Sequence, residues 1–176
     1  MAGMTAEQAA FVNGLYMGAV KQESRVTRDV LAAVPADKCD YKPDPYSKTA
    51  LELARHIAAA ECRLLNIPIL GEFNPSAPSP LPESAKTPAE IAAWYEQSTA
   101  DTLTKLSRLT PEQLTKIVDF RGLFQLPAVM YLQFALHHSI HHRGQLSAYL
   151  RAMGGKIPSI YGESYDSAAA KKAAGG

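Results

Sequence analysis

The chain has 176 residues, which suits a single domain that can bury a sizeable core without disulfide bonds. Hydrophobic residues make up 47% of the chain and charged residues 20%, as in ordinary soluble globular proteins. The net charge is +1, with 18 basic and 17 acidic residues that are mostly scattered. This balance excludes the strongly basic surface that nucleic-acid or anionic-membrane partners require.

The two cysteines, Cys39 and Cys62, have neither a CxxC spacing nor the spacing of a zinc site. We therefore expect both to be reduced thiols, as in cytoplasmic proteins. The first residues lack the basic and apolar regions of a signal peptide, and no apolar run approaches the ~20 residues of a membrane span. These features predict a cytoplasmic protein with no membrane partner.

Four segments begin with a capping box, in which a threonine and the Glu or Gln three residues later satisfy the free groups of the first helical turn. The four threonines are Thr5, Thr49, Thr87 and Thr110. The second helix could alternatively start at Ser47. The first three helices are predicted to run to about residues 34, 66 and 109, and the fourth segment is one short turn. A further helix is predicted from residues 126–127 to Met153, before the glycine pair 154–155.

The connections between these helices are rich in turn formers. Residues 35–48 form a loop, and residues 68–86 contain five prolines, which predicts a long crossover between non-adjacent helix ends. Residues 117–125 are β-prone but too brief to indicate a convincing pair of strands. The pattern predicts an all-α four-helix bundle with long connections and one short extra helix. We expect one domain over residues 1–166 and a disordered tail over residues 167–176.

Four of the five histidines lie within the segment LHHSIHHRGQ, at positions 137, 138, 141 and 142. At 100° per residue, His138 and His142 share one helix stripe with Gln145 and Tyr149. Side chains at i and i+4 are close enough for both imidazoles to bind one metal ion. His137 and His141 form a second i,i+4 pair that is less favoured, and His141 could also be a neighbour of the ligands.

A third ligand is expected from another helix, because two imidazoles alone make a weak site. The only other histidine is His56, on a polar stripe of the second helix that also holds Glu52 and Arg63. Three histidines leave coordination positions open for water or substrate, as in catalytic metal sites. Imidazole ligands suit Zn, Ni, Fe or Co, and the sequence does not choose among them.

The segment HSIHHRGQLSAYLRAMGGKIPSIYG resembles the C-terminal motif of the DinB/YfiT-like family of small four-helix metalloproteins. (This is the damage-inducible DinB family, not the polymerase of that name.) The family pattern is a histidine, three residues, HRGQ, and a Leu-Arg-x-x-Gly helix end, here from His138 to Gly154. LARHIAAAE around His56 resembles the family segment that carries the other ligand. The resemblance covers nearly the whole chain, to about residue 166.

This resemblance implies an up-down-down-up bundle, frequent homodimers, and the metal ligands His56, His138 and His142. His137 stands where many relatives have Asn, so it is interpreted as a local variant. Some relatives resemble thiol-dependent S-transferases that use bacillithiol or mycothiol, and others resemble maleylpyruvate isomerase. The resemblance therefore implies a small-molecule substrate and a possible low-molecular-weight thiol cofactor.

Three functions follow as hypotheses. The first is a metal-dependent enzyme of the S-transferase or hydrolase type with an open three-histidine site holding Zn, Ni or Fe. Its candidate catalytic or orienting residues are Glu52, Arg63, Gln145 and Tyr149, each of which also has an ordinary structural interpretation. The second is a non-catalytic, stress-related metal-binding module, which a closed fourth protein ligand would favour. The third has no metal, and its histidines form a hydrogen-bonded core or a pH-responsive patch.

Overall fold

Seven helices and one β-hairpin make up the computed structural model, which describes residues 3–174. The helices are α1 (Ala6–Ala32), α2 (Ala50–Leu65), α3 (Ile67–Leu70), α4 (Pro88–Leu106), α5 (Pro111–Thr115), α6 (Tyr131–Ala152) and α7 (Tyr165–Ala174). Two short 3₁₀ turns, Ala36–Lys38 and Ala128–Met130, precede α2 and α6 along the chain. The all-α four-helix-bundle prediction is thus confirmed, with α1, α2, α4 and α6 as the long helices.

All four predicted capping boxes form. In each one the threonine side chain accepts a hydrogen bond from the backbone N–H three residues later, and the Glu or Gln side chain accepts one from the threonine N–H. The α2 helix therefore starts after Thr49 and not at Ser47. Each box satisfies two of the N–H groups that a helix start leaves free, so the helix starts are encoded locally.

Helix packing places α1 and α2 at opposite corners of the bundle, because each of them packs against both α4 and α6. The side chain of Asn13, near the start of α1, donates to the carbonyl of Leu106 at the end of α4, so these two helices are antiparallel. Gly155, just after α6, approaches Pro35, just after α1, so α1 and α6 are parallel. These contacts give the expected up-down-down-up order.

The proline-rich segment 71–87 runs back along α2, from the end of that helix to its start. Two arginines of α2 hold it there: Arg63 donates to the carbonyl oxygens of Ala77 and Pro78, and Arg55 donates to those of Pro82 and Ala85. The α4 helix therefore starts at the same end of the bundle as α2 and runs parallel to it. Two parallel neighbouring helices need a connection as long as the bundle, which explains the predicted crossover.

The expectation that residues 117–125 form no pair of strands is wrong. Strands β1 (Ile117–Phe120) and β2 (Phe124–Pro127) pair in an antiparallel hairpin with Phe120 opposite Phe124. The turn places Arg121 (φ 60°) and Gly122 (φ 72°) in the left-handed region, and the Asp119 carboxylate accepts from the Gly122 N–H at 2.7 Å. Four-residue strands carry too little periodicity to be recognised, so burial of Val118 against the bundle decides the structure.

The predicted disordered tail, residues 167–176, is instead helical as far as Ala174, and residues 175–176 lie outside the described residues. Ser164 accepts from the Ser167 N–H at 3.0 Å, which caps the start of α7, and alanines favour the helix that follows. Asp166 ties α7 to the bundle by accepting from Arg151 at 2.8 Å and from the Ile157 N–H at 2.9 Å. Among the described residues, no helix combines the length and apolar character of a membrane span.

Candidate metal centre

Three histidines converge where α2 and α6 pack together. His56 lies in the second turn of α2, and His138 and His142 lie one turn apart in the middle of α6. The α2 and α6 helices are antiparallel neighbours, and the histidine of α2 contacts both histidines of α6. The structure therefore brings together the three predicted ligands, although they are separated by 82 and 86 positions along the chain.

The ring nitrogens point at one another. The Nε2 atom of His56 lies 3.1 Å from Nε2 of His138 and 3.3 Å from Nε2 of His142. The three candidate ligand atoms all lie within 4.8 Å of one another, and all three side chains are half-buried. No fourth His, Cys, Asp or Glu belongs to this group within the described part of the chain.

The two distances from Nε2 of His56 fit a first-row divalent metal ion. Two nitrogens that each lie about 2.1 Å from an ion are about 3.0 Å apart at a right angle and about 3.4 Å apart at the tetrahedral angle. The two observed separations fall inside that window. A shared ion would also give the facing ring nitrogens of this half-buried site a common partner. The donor set of three imidazoles suits zinc, nickel or iron.

Burial favours the neutral form of two of these imidazoles. Burial first, and then the charges of the neighbouring His142, His56 and His141, together lower the pKa of His138 to about 4. The pKa of His56 is also lowered, by burial first and then by the charges of His142 and Lys48. A neutral imidazole has a free lone pair, which is the form that binds a metal ion.

Gln145 fixes the orientation of one predicted ligand. Its side-chain oxygen lies 3.0 Å from Nδ1 of His142, so Nδ1 carries the hydrogen and donates it. The lone pair of His142 is consequently on Nε2, the nitrogen that faces His56. Metal-binding histidines commonly donate their other ring N–H to such an acceptor. The buried Nδ1 of His138, in contrast, has no hydrogen-bond partner among the described residues.

The two remaining histidines of the cluster lie outside this group. His137 and His141 are both exposed on the outer face of α6. The His141 ring packs edge-on against His142, with 4.8 Å between ring centroids, so it is a neighbour of the ligands as expected. The structure does not bring the alternative pair, His137 and His141, to His56.

Three other candidates have structural roles in the described contacts. Glu52 accepts from the Thr49 N–H at 2.8 Å, and this hydrogen bond lowers the pKa of the Glu52 carboxyl. Arg63 holds the crossover segment. Tyr149 is buried, packs edge-on against Tyr41 at 5.7 Å between ring centroids, and has a hydroxyl with no described partner. None of the three hydrogen-bonds to the predicted ligands.

A buried polar group on α2 was missed by the sequence reasoning. Glu61, fully buried on α2, accepts from the Tyr95 hydroxyl at 2.7 Å, and burial raises the pKa of its carboxyl to about 7. Arg143, from the HRGQ segment, is also buried and pairs with Glu23 of α1 at 2.6 Å. It also donates to Tyr161 at 2.7 Å. Periodicity alone cannot find such groups, because their burial depends on which helices become neighbours.

A sequence model of the DinB family matches residues 8–173, nearly the whole chain. The chain belongs to the DinB family. It is 32% identical over 131 residues to the uncharacterized protein YjoA of Bacillus subtilis, a match that covers 73% of this chain and 82% of YjoA. It is 26% identical over 140 residues to the uncharacterized protein YrdA of the same organism, covering 80% and 82% of the two chains.

Two crystal structures of DinB-like proteins share the fold. The YjoA structure from Bacillus subtilis superimposes with a TM-score of 0.67 at 25% identity and covers 85% of this DinB chain and 99% of YjoA. A DinB-like protein from Bacillus cereus gives a TM-score of 0.68 at 24% identity, covering 91% and 100% of the two chains. The family resemblance and the predicted fold are thereby confirmed.

Proposed function

We propose that His56, His138 and His142 hold one divalent transition metal in this DinB protein, and that the site is a catalytic one. The observation that carries this proposal is the convergence of three Nε2 atoms with 3.1 and 3.3 Å separations and no fourth protein ligand among the described residues. Three protein ligands with open positions are typical of catalytic metal sites, whereas structural sites are closed.

When bound, a divalent ion would supply Lewis acidity towards a small molecule at its open positions. Residues of the protein would orient the predicted ligands for that chemistry. Gln145 keeps the lone pair of His142 on Nε2. The chemistry that we propose is thiol-dependent transfer or hydrolysis of a small molecule, in keeping with the family resemblance.

Metal analysis of protein made without an affinity tag tests the site. After growth in metal-supplemented medium, the protein should contain about one equivalent of a transition metal, and His56→Ala should contain less than a tenth of that. Less than a tenth of an equivalent in the unchanged protein would refute the metal site.

A second experiment tests whether the metal has an open coordination position. Addition of a small thiol to Co²⁺-loaded protein should give a thiolate-to-cobalt charge-transfer band in the near ultraviolet. A metal-loaded protein without such a band has a closed site and fits the alternative function, a non-catalytic metal-binding module. A screen of low-molecular-weight thiols with electrophiles then separates the transferase from the hydrolase. The thiol cofactor, the homodimer and the cytoplasmic location stay predictions.

A further inference from the structure

A groove of about 520 Å³ lies between α1 and α4, on the opposite side of the bundle from the three histidines. Its lining follows one face of each helix, at spacings of three or four residues, from Met17 to Arg28 on α1 and from Glu96 to Ser107 on α4. Its volume falls within the range of about 300 to 1,000 Å³ that small-molecule sites occupy.

The groove exists because the two facing rows of side chains are small. These small residues lie at the solvent edge of the buried α1–α4 contact and are Gly18, Ser24, Ala100, Thr104 and Ser107. A Cβ atom built on Gly18 would meet no other atom within 4 Å, so the space above it is open.

The residues that line the groove carry more positive than negative charge. Lys21 and Arg25 are exposed along its α1 side, and neither forms an ion pair with any residue between 3 and 174. Glu96 is the acidic residue that lines it, and Arg28 already binds this carboxylate at 2.9 Å at one end. The lining between the charges includes the apolar side chains of Met17 and Leu103. Two cations with no described ion-pair partner therefore lie beside a partly apolar groove.

We propose that this groove binds a carboxylate with an elongated apolar body, of the kind represented by a medium-chain fatty acid. The carboxylate would lie between Lys21 and Arg25, and the apolar body would lie along Met17 and Leu103. Opposite charge attracts the head group, and removal of apolar surface from water drives binding of the body. This site is independent of the metal proposed above.

A second copy of the chain is the competing occupant of this surface. In a symmetric dimer the same patch faces itself, so Lys21 and Arg25 would need carboxylates from the groove lining of the other copy. The acidic residue of that lining, Glu96, is already bound to Arg28. The charge pattern therefore favours a small anion over a symmetric dimer at this face.

Titration calorimetry with dodecanoate on metal-free protein, in the presence of a chelator, tests the site. We expect one equivalent to bind and the affinity to fall as salt is added. Dodecyltrimethylammonium, with the same chain length and the opposite charge, should bind at least tenfold more weakly. His56→Ala should bind dodecanoate like the unchanged protein, so failure of the metal site does not affect this result.

Two variants locate the binding. The charge reversal Lys21→Glu/Arg25→Glu should weaken dodecanoate binding at least tenfold, while Arg108→Glu/Arg121→Glu, which reverses two exposed cations outside the groove, should not. Ala100→Leu fills the groove and should abolish dodecanoate binding. Circular dichroism should show that this variant stays folded. Equal binding of the cationic amphiphile, binding that neither groove variant changes, or no binding of dodecanoate overturns the proposal. A dimer that Ala100→Leu dissociates in light scattering would show instead that a second copy covers the groove.

Discussion

The side-chain oxygen of Gln145 lies 3.0 Å from Nδ1 of His142, three residues earlier on the same helix. This short-range contact decides which nitrogen of His142 faces His56, because a ring that donates through Nδ1 keeps its lone pair on Nε2. The HRGQ segment thus contains both a predicted ligand and the residue that orients it. We propose that Gln145 acts as a positioning residue, since its side chain hydrogen-bonds to His142.

Loss of that acceptor should weaken metal binding. Gln145→Leu removes the hydrogen bond, frees the His142 ring to change tautomer, and should lower zinc affinity about 10-fold to 100-fold. Gln145→Glu keeps an acceptor at the same place and should bind zinc at least as tightly as the unchanged protein. Competition with a chromophoric chelator measures both affinities. Equal affinities for the Leu and Glu variants would show that the contact does not matter.

Single histidine substitutions should separate the ligands from their neighbours. His142→Ala removes one of three nitrogens and should reduce bound metal to less than a tenth of an equivalent. His137→Ala removes an exposed ring from the same helix and should leave about one equivalent bound. Metal content per folded protein, measured by elemental analysis, gives the answer. Equal losses in the two variants would mean that the helix binds metal through a different pair.

Much of this site could be predicted from the sequence because its determinants are local. The i,i+4 spacing of His138 and His142 places both rings on one stripe, and the Thr49 capping box fixes the start of the helix that carries His56. In a domain with one core, the fifth histidine, His56, is then the natural candidate for the third ligand. The up-down-down-up order came from the family resemblance and not from periodicity, which does not report helix direction.

The features that escaped prediction depend on contacts between distant segments. In the sequence, Glu61 looks like an ordinary charged residue of a helix. Only the parallel packing of α4 against α2 brings the Tyr95 hydroxyl to its carboxylate. The four-residue strands of the hairpin are too short to show a period of two, and they form because Val118 is buried against the bundle. Ser164, which caps α7, lies in a run of small polar residues that also suits a disordered tail.

Arg143 should be essential for stability although it follows a predicted ligand in the sequence. Its side chain is 2% exposed and pairs with a Glu23 side chain that is 14% exposed. Arg143→Met leaves the Glu23 carboxylate without its ionic partner, with the Tyr161 hydroxyl as its remaining described donor, and should lower the free energy of unfolding by about 3 to 5 kcal/mol. Chemical denaturation of the metal-free protein measures this loss.

An ion pair with an exposed arginine supplies the control for that prediction. Arg151 binds Asp166 at 2.8 Å; the aspartate is 16% exposed and keeps the Ile157 N–H as a donor, while the arginine is 53% exposed, so Arg151→Met should cost less than about 1 kcal/mol. The double variant Arg143→Met/Glu23→Gln removes the unpaired charge and should recover part of the loss. Similar losses for Arg143→Met and Arg151→Met would show that burial of the first pair contributes little.

Glu61 should make the fold less stable as the pH rises. Its pKa is about 7 in the folded protein and near 4.5 in an unfolded chain. Between these two values the folded state binds more protons than the unfolded state, so the free energy of unfolding falls with increasing pH and levels off above pH 7. At about 1.4 kcal/mol per pKa unit, the decrease from pH 5 to pH 8 is on the order of 3 kcal/mol.

Comparison with Glu61→Gln isolates this contribution, because the amide stays neutral at every pH and every other side chain is the same in both proteins. Denaturation of metal-free protein at pH 5 and pH 8 should show a smaller decrease for Glu61→Gln than for the unchanged protein. Glu52→Gln is the matched control: hydrogen bonding to Thr49 lowers the pKa of Glu52, so its contribution is lost only below that range, as pH falls through the folded pKa. Parallel pH profiles for the unchanged protein and Glu61→Gln would mean that the buried carboxyl has an ordinary pKa, with its charge compensated by Arg143 and the Tyr95 hydroxyl.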